Sequence, residues 1–261
     1  MSDQSDKPVA IVTGAGTGIG AACAVALAQK GYWVAVNFNQ SEDEAQAVVD
    51  RCQDIGPSAI SIQGNIANDA DCRRVAETTV EEWGRIDLLV NNAGVTRYVE
   101  QENLEGLNKD DFEHILGVNV AGTYQMVRAV TPHLQTSPSA AIVNISSHSG
   151  FSGIGSSMAY AASKGALNTM TLSLARSLAP SIRVNAVCPG FVDTDWMSAK
   201  LDAQALSDFK DNVAAIAPLN RIVTAEDVAD AVCWFAINAR SITGQLLVID
   251  GGTHLTTGNP L

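Results

Sequence analysis

The run Val9-Ala10-Ile11-Val12-Thr13-Gly14-Ala15-Gly16-Thr17-Gly18-Ile19-Gly20 passes from apolar residues into glycines, then into an alanine-rich stretch that stops at Lys30-Gly31. A short unbroken apolar run suits a strand buried on both faces, and the stretch after it suits a helix ended by glycine. A glycine turn between the two lets backbone approach a pyrophosphate, while the helix start offers unpaired N–H groups and partial positive charge. The spacing is not G-x-G-x-x-G, because Ile19 stands where the third glycine belongs. It is T-G-x-x-x-G-x-G, from Thr13, Gly14, Gly18 and Gly20. A purely structural turn is the competing reading, so the rest of the chain has to decide.

That rest alternates. Further strands are expected at Trp33–Phe38, Ala59–Gln63, Leu88–Val90, Ala141–Ile145, Arg183–Cys188 and Leu246–Ile249. Helices are expected at 41–55, 68–83, 110–134, 158–178 and 225–237, with 191–216 loosely helical. Seven strands alternating with helices give a parallel sheet covered on both faces. The expected fold is α/β: a single doubly wound (Rossmann) domain over residues 8–261, behind a flexible tail at 1–7.

A net charge of -12 argues against nucleic-acid backbones and anionic membranes as partners. Cys23, Cys52, Cys72, Cys188 and Cys233 are scattered and form no C-x-x-C, so neither a metal site nor a disulfide framework is expected. The N-terminus is polar and acidic, and no apolar run is long enough to span a bilayer, so the expectation is a cytoplasmic protein.

Tyr160-Ala161-Ala162-Ser163-Lys164 puts a phenol and an ammonium four residues apart, on one face of a helix. A fixed cation beside a tyrosine stabilises the phenolate and draws its pKa toward neutrality. Tyr124 and Arg128 share that spacing, so the pair alone is weak. Ser147 follows the strand Ala141–Ile145, which would carry it to the C-terminal edge of the sheet, where ligands of open α/β sheets bind.

Several motifs now stand in order: Thr13-Gly14-x-x-x-Gly18-x-Gly20, Asn91-Asn92-Ala93-Gly94, Asn119, Ser147, Tyr160-x-x-x-Lys164 and Pro189-Gly190-x-x-x-Thr194. As an ordered set they resemble the short-chain dehydrogenase/reductase family, over roughly Pro8 to His254. The resemblance implies Tyr160 as proton donor or acceptor and Lys164 as the group that lowers its pKa and holds the nicotinamide ribose. It implies Ser147 as the hydrogen-bond donor to the substrate oxygen, selected over Ser146 by the family's distance to the tyrosine. Asn119 is implied to hold a water on the lysine's proton path. Gly14, Thr17, Gly18, Ile19, Gly20, Asn91, Ala93, Gly94, Pro189, Gly190, Val192 and Thr194 are implied to line the cofactor. Tyr160 and Lys164 join them.

At the end of the second strand the slot for an NAD-selecting acid holds Phe38, followed by Asn39. Thr17, Asn39 and Ser41 would donate hydrogen bonds to a 2′-phosphate, so NADP is favoured over NAD, although no Lys or Arg is evident there. Asn65 replaces the adenine-contacting Asp of many relatives, with Ile66 beside it. Trp33 is placed near the adenosine site.

Gly94-Val95-Thr96-Arg97 resembles 3-oxoacyl-carrier-protein reductases. The net charge, and a connection Ala179-Pro180-Ser181-Ile182 without a basic residue, argue against docking an acidic carrier; Arg128 and Arg176 remain as a local basic patch. Residues 191–216 resemble a substrate lid. His148, Phe151, Phe191, Trp196, Met197 and Phe209 are its candidate contacts. Asp193, Asp195 and Asp202 either greet a polyol or cation, or are solvated acids. The implied function is NADP(H)-dependent interconversion of a carbonyl and a secondary alcohol on a small molecule, more in the manner of a ketone or 3-oxoacyl reductase. The alternative is an NAD-dependent dehydrogenase of a sugar, polyol or other small alcohol; the remote one is a non-catalytic nucleotide-binding scaffold. The family also implies a homo-oligomer, a tetramer before a dimer.

Overall fold

In the computed structural model, residues 7–56, 58–194, 196 and 202–256 are described. The tail 1–7, except its last residue, lies outside them, as do Asp195 and Met197. Seven parallel strands form one sheet in the order β3-β2-β1-β4-β5-β6-β7. They are β1 Val9–Val12, β2 Trp33–Phe38, β3 Ala59–Gln63, β4 Leu88–Asn91, β5 Ala141–Ile145, β6 Arg183–Pro189 and β7 Leu246–Ile249. The chain builds outward from β1 to β3, then crosses back to lay β4 on the other side of β1. That reversal opens a crevice at the C-terminal ends of β1 and β4, the place where doubly wound sheets bind ligands.

Alternation along β1 feeds two cores, because successive side chains of a strand point to opposite faces. Ala10 and Val12 pack with α1 (Gly18–Gln29), α2 (Glu42–Ile55) and α9 (Ala225–Ile237), through Leu27, Val48 and Phe235. Ile11 packs on the other face with α3 (Asp69–Trp83), α5 (Thr123–Leu134) and α7 (Met158–Leu178), through Val75, Met126 and Leu174. Each such fully buried aliphatic contributes on the order of 2 kcal/mol.

The helix expected over 110–134 is one helical path with a change of winding inside it. α4 (Lys109–Leu116) runs into a π-helical segment, Gly117–Gly122, and then into α5. Asn119 lies within that segment and is buried. Such π segments often mark functional sites. The remaining α-helices among the described residues are the short α6 (Ser149–Ser152) and α8 (Ala203–Ile216).

Asp87, just before β4, holds the opposite, N-terminal edge together. Its carboxylate accepts from Val9 N (2.8 Å), from the Ser137 hydroxyl (2.5 Å) and from two nitrogens of Arg85 (2.9 and 2.7 Å), at 1% side-chain exposure. Asp87→Ala would remove the acceptor of the buried Val9 N–H and of the Ser137 hydroxyl, so unfolding free energy should fall by about 2 kcal/mol. Urea denaturation reads this directly, and an unmoved midpoint would refute it.

Candidate active site

A cleft of about 1590 Å³ opens at the C-terminal ends of β1, β4, β5 and β6. The glycine turn forms one wall. Gly14 has φ +59°, and a Cβ there would sit 2.8 Å from the Ala93 Cα, so only glycine lets the β1 and β4 loops touch. Three polar side chains weld this contact. Thr13 Oγ1 accepts from the N–H groups of Asn92 and Ala93 (3.0 and 3.1 Å), and Asn92 Nδ2 donates to the carbonyls of Thr13 and Gly14 (3.0 and 2.9 Å). Asn37, buried at the end of β2, accepts from Gly14 N and donates to the carbonyls of Ile62 and Gly64. Thr17 is the N-cap of α1 but makes no side-chain cap bond, and no acid stands in the first turn. The helix start therefore keeps N–H groups and partial positive charge for an anion. Thr194 stands beside it: a Cβ on Gly18 would meet the Thr194 side chain at 3.6 Å.

Most of the proposed cofactor positions line this cleft: Gly14, Thr17, Gly18, Ile19, Asn39, Ser41, Asn65, Ile66, Ala93, Gly94, Pro189, Gly190, Val192 and Thr194, with Tyr160 and Lys164. Three do not. Phe38 is buried in the core, Gly20 packs against the Gly14 carbonyl, and Asn91 donates to Asn144 in the sheet interior. Trp33 is also misplaced by the sequence reading. It opens β2 at the far edge and packs on Trp83 (ring centroids 5.8 Å), a strand's length from the cleft.

At the ends of β5 and β6 the reactive side chains converge. Lys164 is 4% exposed and donates from Nζ to the Ile145 carbonyl at 2.8 Å, with its ammonium 5.6 Å from the Tyr160 ring centroid. Burial pushes the lysine down to about 8. Burial also pushes Tyr160 up to about 12, against the opposing pull of a hydrogen bond from Ser147. The expected lowering of the tyrosine by the lysine is not what dominates: the cation is aimed at a carbonyl, and desolvation outweighs it. Ser147 Oγ accepts from Ser149 N at 3.1 Å and lies 3.1 Å from the Ser149 hydroxyl. Asn119 clamps the loop after β4. Its Oδ1 accepts from Val95 N (2.8 Å), and its Nδ2 donates to Val95 O and Ser163 Oγ (3.0 Å each).

The cleft and these groups have close counterparts in known proteins. A family model described as enoyl-(acyl carrier protein) reductase matches residues 14–254. A solved structure of a protein from Burkholderia xenovorans, assigned as a short-chain dehydrogenase/reductase, superposes with a TM-score of 0.89 at 39% identity, over 96% of this chain and 99% of that one. The chain belongs to the short-chain dehydrogenase/reductase family. Among this dehydrogenase/reductase's relatives, ketoacyl reductase 2 of the granaticin polyketide synthase from Streptomyces violaceoruber is 39% identical over 97% of this chain and 99% of its own length. The 3-oxoacyl-acyl-carrier-protein reductase FabG of Staphylococcus epidermidis is 35% identical over 94% and 98%. The family's reaction is NAD(P)-dependent, and the cradle fits a nicotinamide dinucleotide: a turn that admits no Cβ and an uncapped helix start.

On the substrate side, His148, Phe191, Phe209 and Trp196 line the cleft, whereas Phe151 does not and is exposed. The Phe191 ring meets Phe209 edge-on at 5.0 Å. His148 stands 6.4 Å from His254, and burial holds its imidazole below the usual value. Tyr98, absent from the sequence reading, also lines the cleft, and burial, with Tyr160 as a neighbour, pushes its hydroxyl up to about 12. Two of the lid acids have other duties: Asp193 pairs with Lys210 (2.6 Å), and Asp202 caps α8 by accepting from Ala205 N. Arg128, half of the suspected basic patch, is held by Asp69.

The lysine carries a testable signature. Its folded pKa, about 8, lies below the ordinary 10.5, so between those values the unfolded chain binds the proton that the native chain has lost. Stability from this residue therefore rises with pH across that window, and the cost is fully present below about pH 8. Urea unfolding of wild type and Lys164→Met, compared at pH 7 and pH 9.5, should show the difference moving in favour of wild type at the higher pH. A difference independent of pH would mean that Lys164 titrates normally.

Proposed function

We propose that this protein is an NADP(H)-dependent oxidoreductase that interconverts a carbonyl and a secondary alcohol, acting as a ketone or 3-oxoacyl-type reductase. The observation that carries the reading is the convergence of Ser147, Tyr160 and Lys164 beside the dinucleotide cradle, with Lys164 and Tyr160 both desolvated. A nicotinamide cofactor, when bound, supplies the hydride to the carbonyl carbon. Tyr160 gives its phenolic proton to the carbonyl oxygen, and Ser147 donates a hydrogen bond to that oxygen as charge develops on it. Lys164, protonated, stabilises the phenolate left behind. Asn119 keeps the Val95 loop against the lysine: a Cβ on Gly94 would lie 3.3 Å from Asn119 Oδ1 and 3.8 Å from Lys164 Nζ.

The preference for NADP rests on the adenosine end of the cleft. It is lined by Asn39, Gln40 and Ser41, with Asn65 opposite. Glu42, Asp43 and Glu44 are exposed in the first turn of α2, where acids favour the helix dipole, and do not line the cleft. Among the described residues no carboxylate lines that end of the cleft to repel a 2′-phosphate. The two relatives' names support a 3-oxoacyl substrate.

Tyr160→Phe should cut turnover of a 3-oxoacyl thioester or ketone by about 10³-fold, while calorimetric titration still shows NADPH binding at wild-type affinity. Wild-type activity in that variant would sink the assignment. In the same titrations NADPH should bind wild type more tightly than NADH, and the reverse order would move the reading to an NAD-dependent dehydrogenase.

A further inference from the structure

The side chains of α7 that face β5 do not end with the lysine. Tyr160, Lys164 and Asn168 are spaced four apart, and each addresses a different point of the β5 exit. Tyr160 lies beside Ser147 in the cleft lining, Lys164 donates to the Ile145 carbonyl, and Asn168 Oδ1 accepts from the Ser146 hydroxyl at 2.6 Å. Two consecutive residues of the strand exit, Ile145 and Ser146, are thus gripped by one helix face, and Ser147 follows them directly. The Ser146 hydroxyl also lies 3.3 Å from the Lys164 carbonyl, so it bridges two turns of α7.

We propose that Asn168 is a positioning residue for the reaction. Through Ser146 it fixes the register between the turn of α7 that bears Lys164 and the strand end that bears Ser147. The inference rests on the roles given above to Tyr160, Lys164 and Ser147.

Asn168 is 6% exposed and Ser146 is 3% exposed, so neither lies where it would touch solvent freely. The amide is confined on its other side as well. Cys188 Sγ, at the end of β6, donates to Asn168 Oδ1 at 3.7 Å, and a Cβ on Gly150 would come within 2.7 Å of Nδ2. Asn168 Nδ2 is one of two buried side-chain nitrogen or oxygen atoms without a hydrogen-bond partner among the described residues. A buried amide that leaves its nitrogen unpaired is a poor choice for stability alone. A leucine of similar size would fill the space without that cost. Its retention matches a need for the oxygen, the atom that holds Ser146. The hold is short and buried, in surroundings where a hydrogen bond is strong and its loss shifts the groups attached to it.

Asn168→Leu and Ser146→Ala should each lower kcat by about 10- to 100-fold, the scale expected when reacting groups shift by a fraction of an ångström. NADPH affinity by calorimetry, and the substrate KM, should stay within about twofold, because Asn168 does not line the cleft and Ser146, which does, is 3% exposed with its hydroxyl turned to Asn168. The double variant should lose no more than either single one, since both remove the same link. Ser146→Ala changes little volume and carries the test if Asn168→Leu does not fold. Unchanged kcat in Ser146→Ala, additive losses, or a fall in kcat matched by lost cofactor affinity would each overturn the proposal. Wild-type turnover is measured alongside: its absence would instead refute the oxidoreductase reading, which separates the two failures.

Discussion

The buried ammonium of Lys164 is the constraint around which the site is arranged. An alkylammonium taken out of water needs acceptors, and without them it loses its proton. Here one acceptor is the Ile145 carbonyl, the last backbone oxygen of β5, so the end of a central strand and the middle of α7 are held at one separation. The same burial acts on Tyr160 in the opposite sense, and the two groups are both pushed toward their neutral forms. With the ammonium 5.6 Å from the Tyr160 ring centroid, negative charge on the phenol would favour the charged lysine.

The cofactor side depends on a different economy. The glycine turn is permissive by itself and would sample many shapes. Thr13, Asn37 and Asn92 remove that freedom by spending buried polar atoms on the backbone of the turn and its neighbours. None of these bonds reaches outward. Their effect is to hold Gly14 against Ala93, while the start of α1 stays free of its own cap.

The wall of the cleft formed after β6 is held by side-chain contacts rather than by strands. Phe209 and Lys210 are adjacent on α8, and they meet Phe191 and Asp193 of the segment after β6. An aromatic edge and an ion pair thus anchor one helix over the mouth of the cleft. The cations nearby are largely engaged, Arg97 by Asp111 and Arg221 by Asp227, which leaves an apolar wall with neutralised charge at its rim.

By itself the sequence determined the seven strands, the parallel sheet and the placing of Ser147, Tyr160 and Lys164 near one another at its C-terminal edge. Unbroken apolar runs, a glycine turn and an i, i+4 pair are local patterns, and local patterns survive without knowledge of what they pack against. Tertiary structure alone decided the rest. The π-helical winding at Asn119 hardly alters the apolar periodicity of 110–134, so one long helix was the natural reading. Trp33 was placed near the adenosine end although it opens β2, and the first residue of a parallel strand lies at the sheet edge opposite the C-terminal one where the cleft forms. Phe38 and Asn91 fit the motif yet face the interior, since a strand end turns alternate side chains away from the cleft. The roles of Asn37, Asn92 and Asn168 were not legible, even with Asn92 inside a motif, for one physical reason: an amide's role is defined by the partners that reach it, and those partners lie 25, 79 and 22 residues away along the chain.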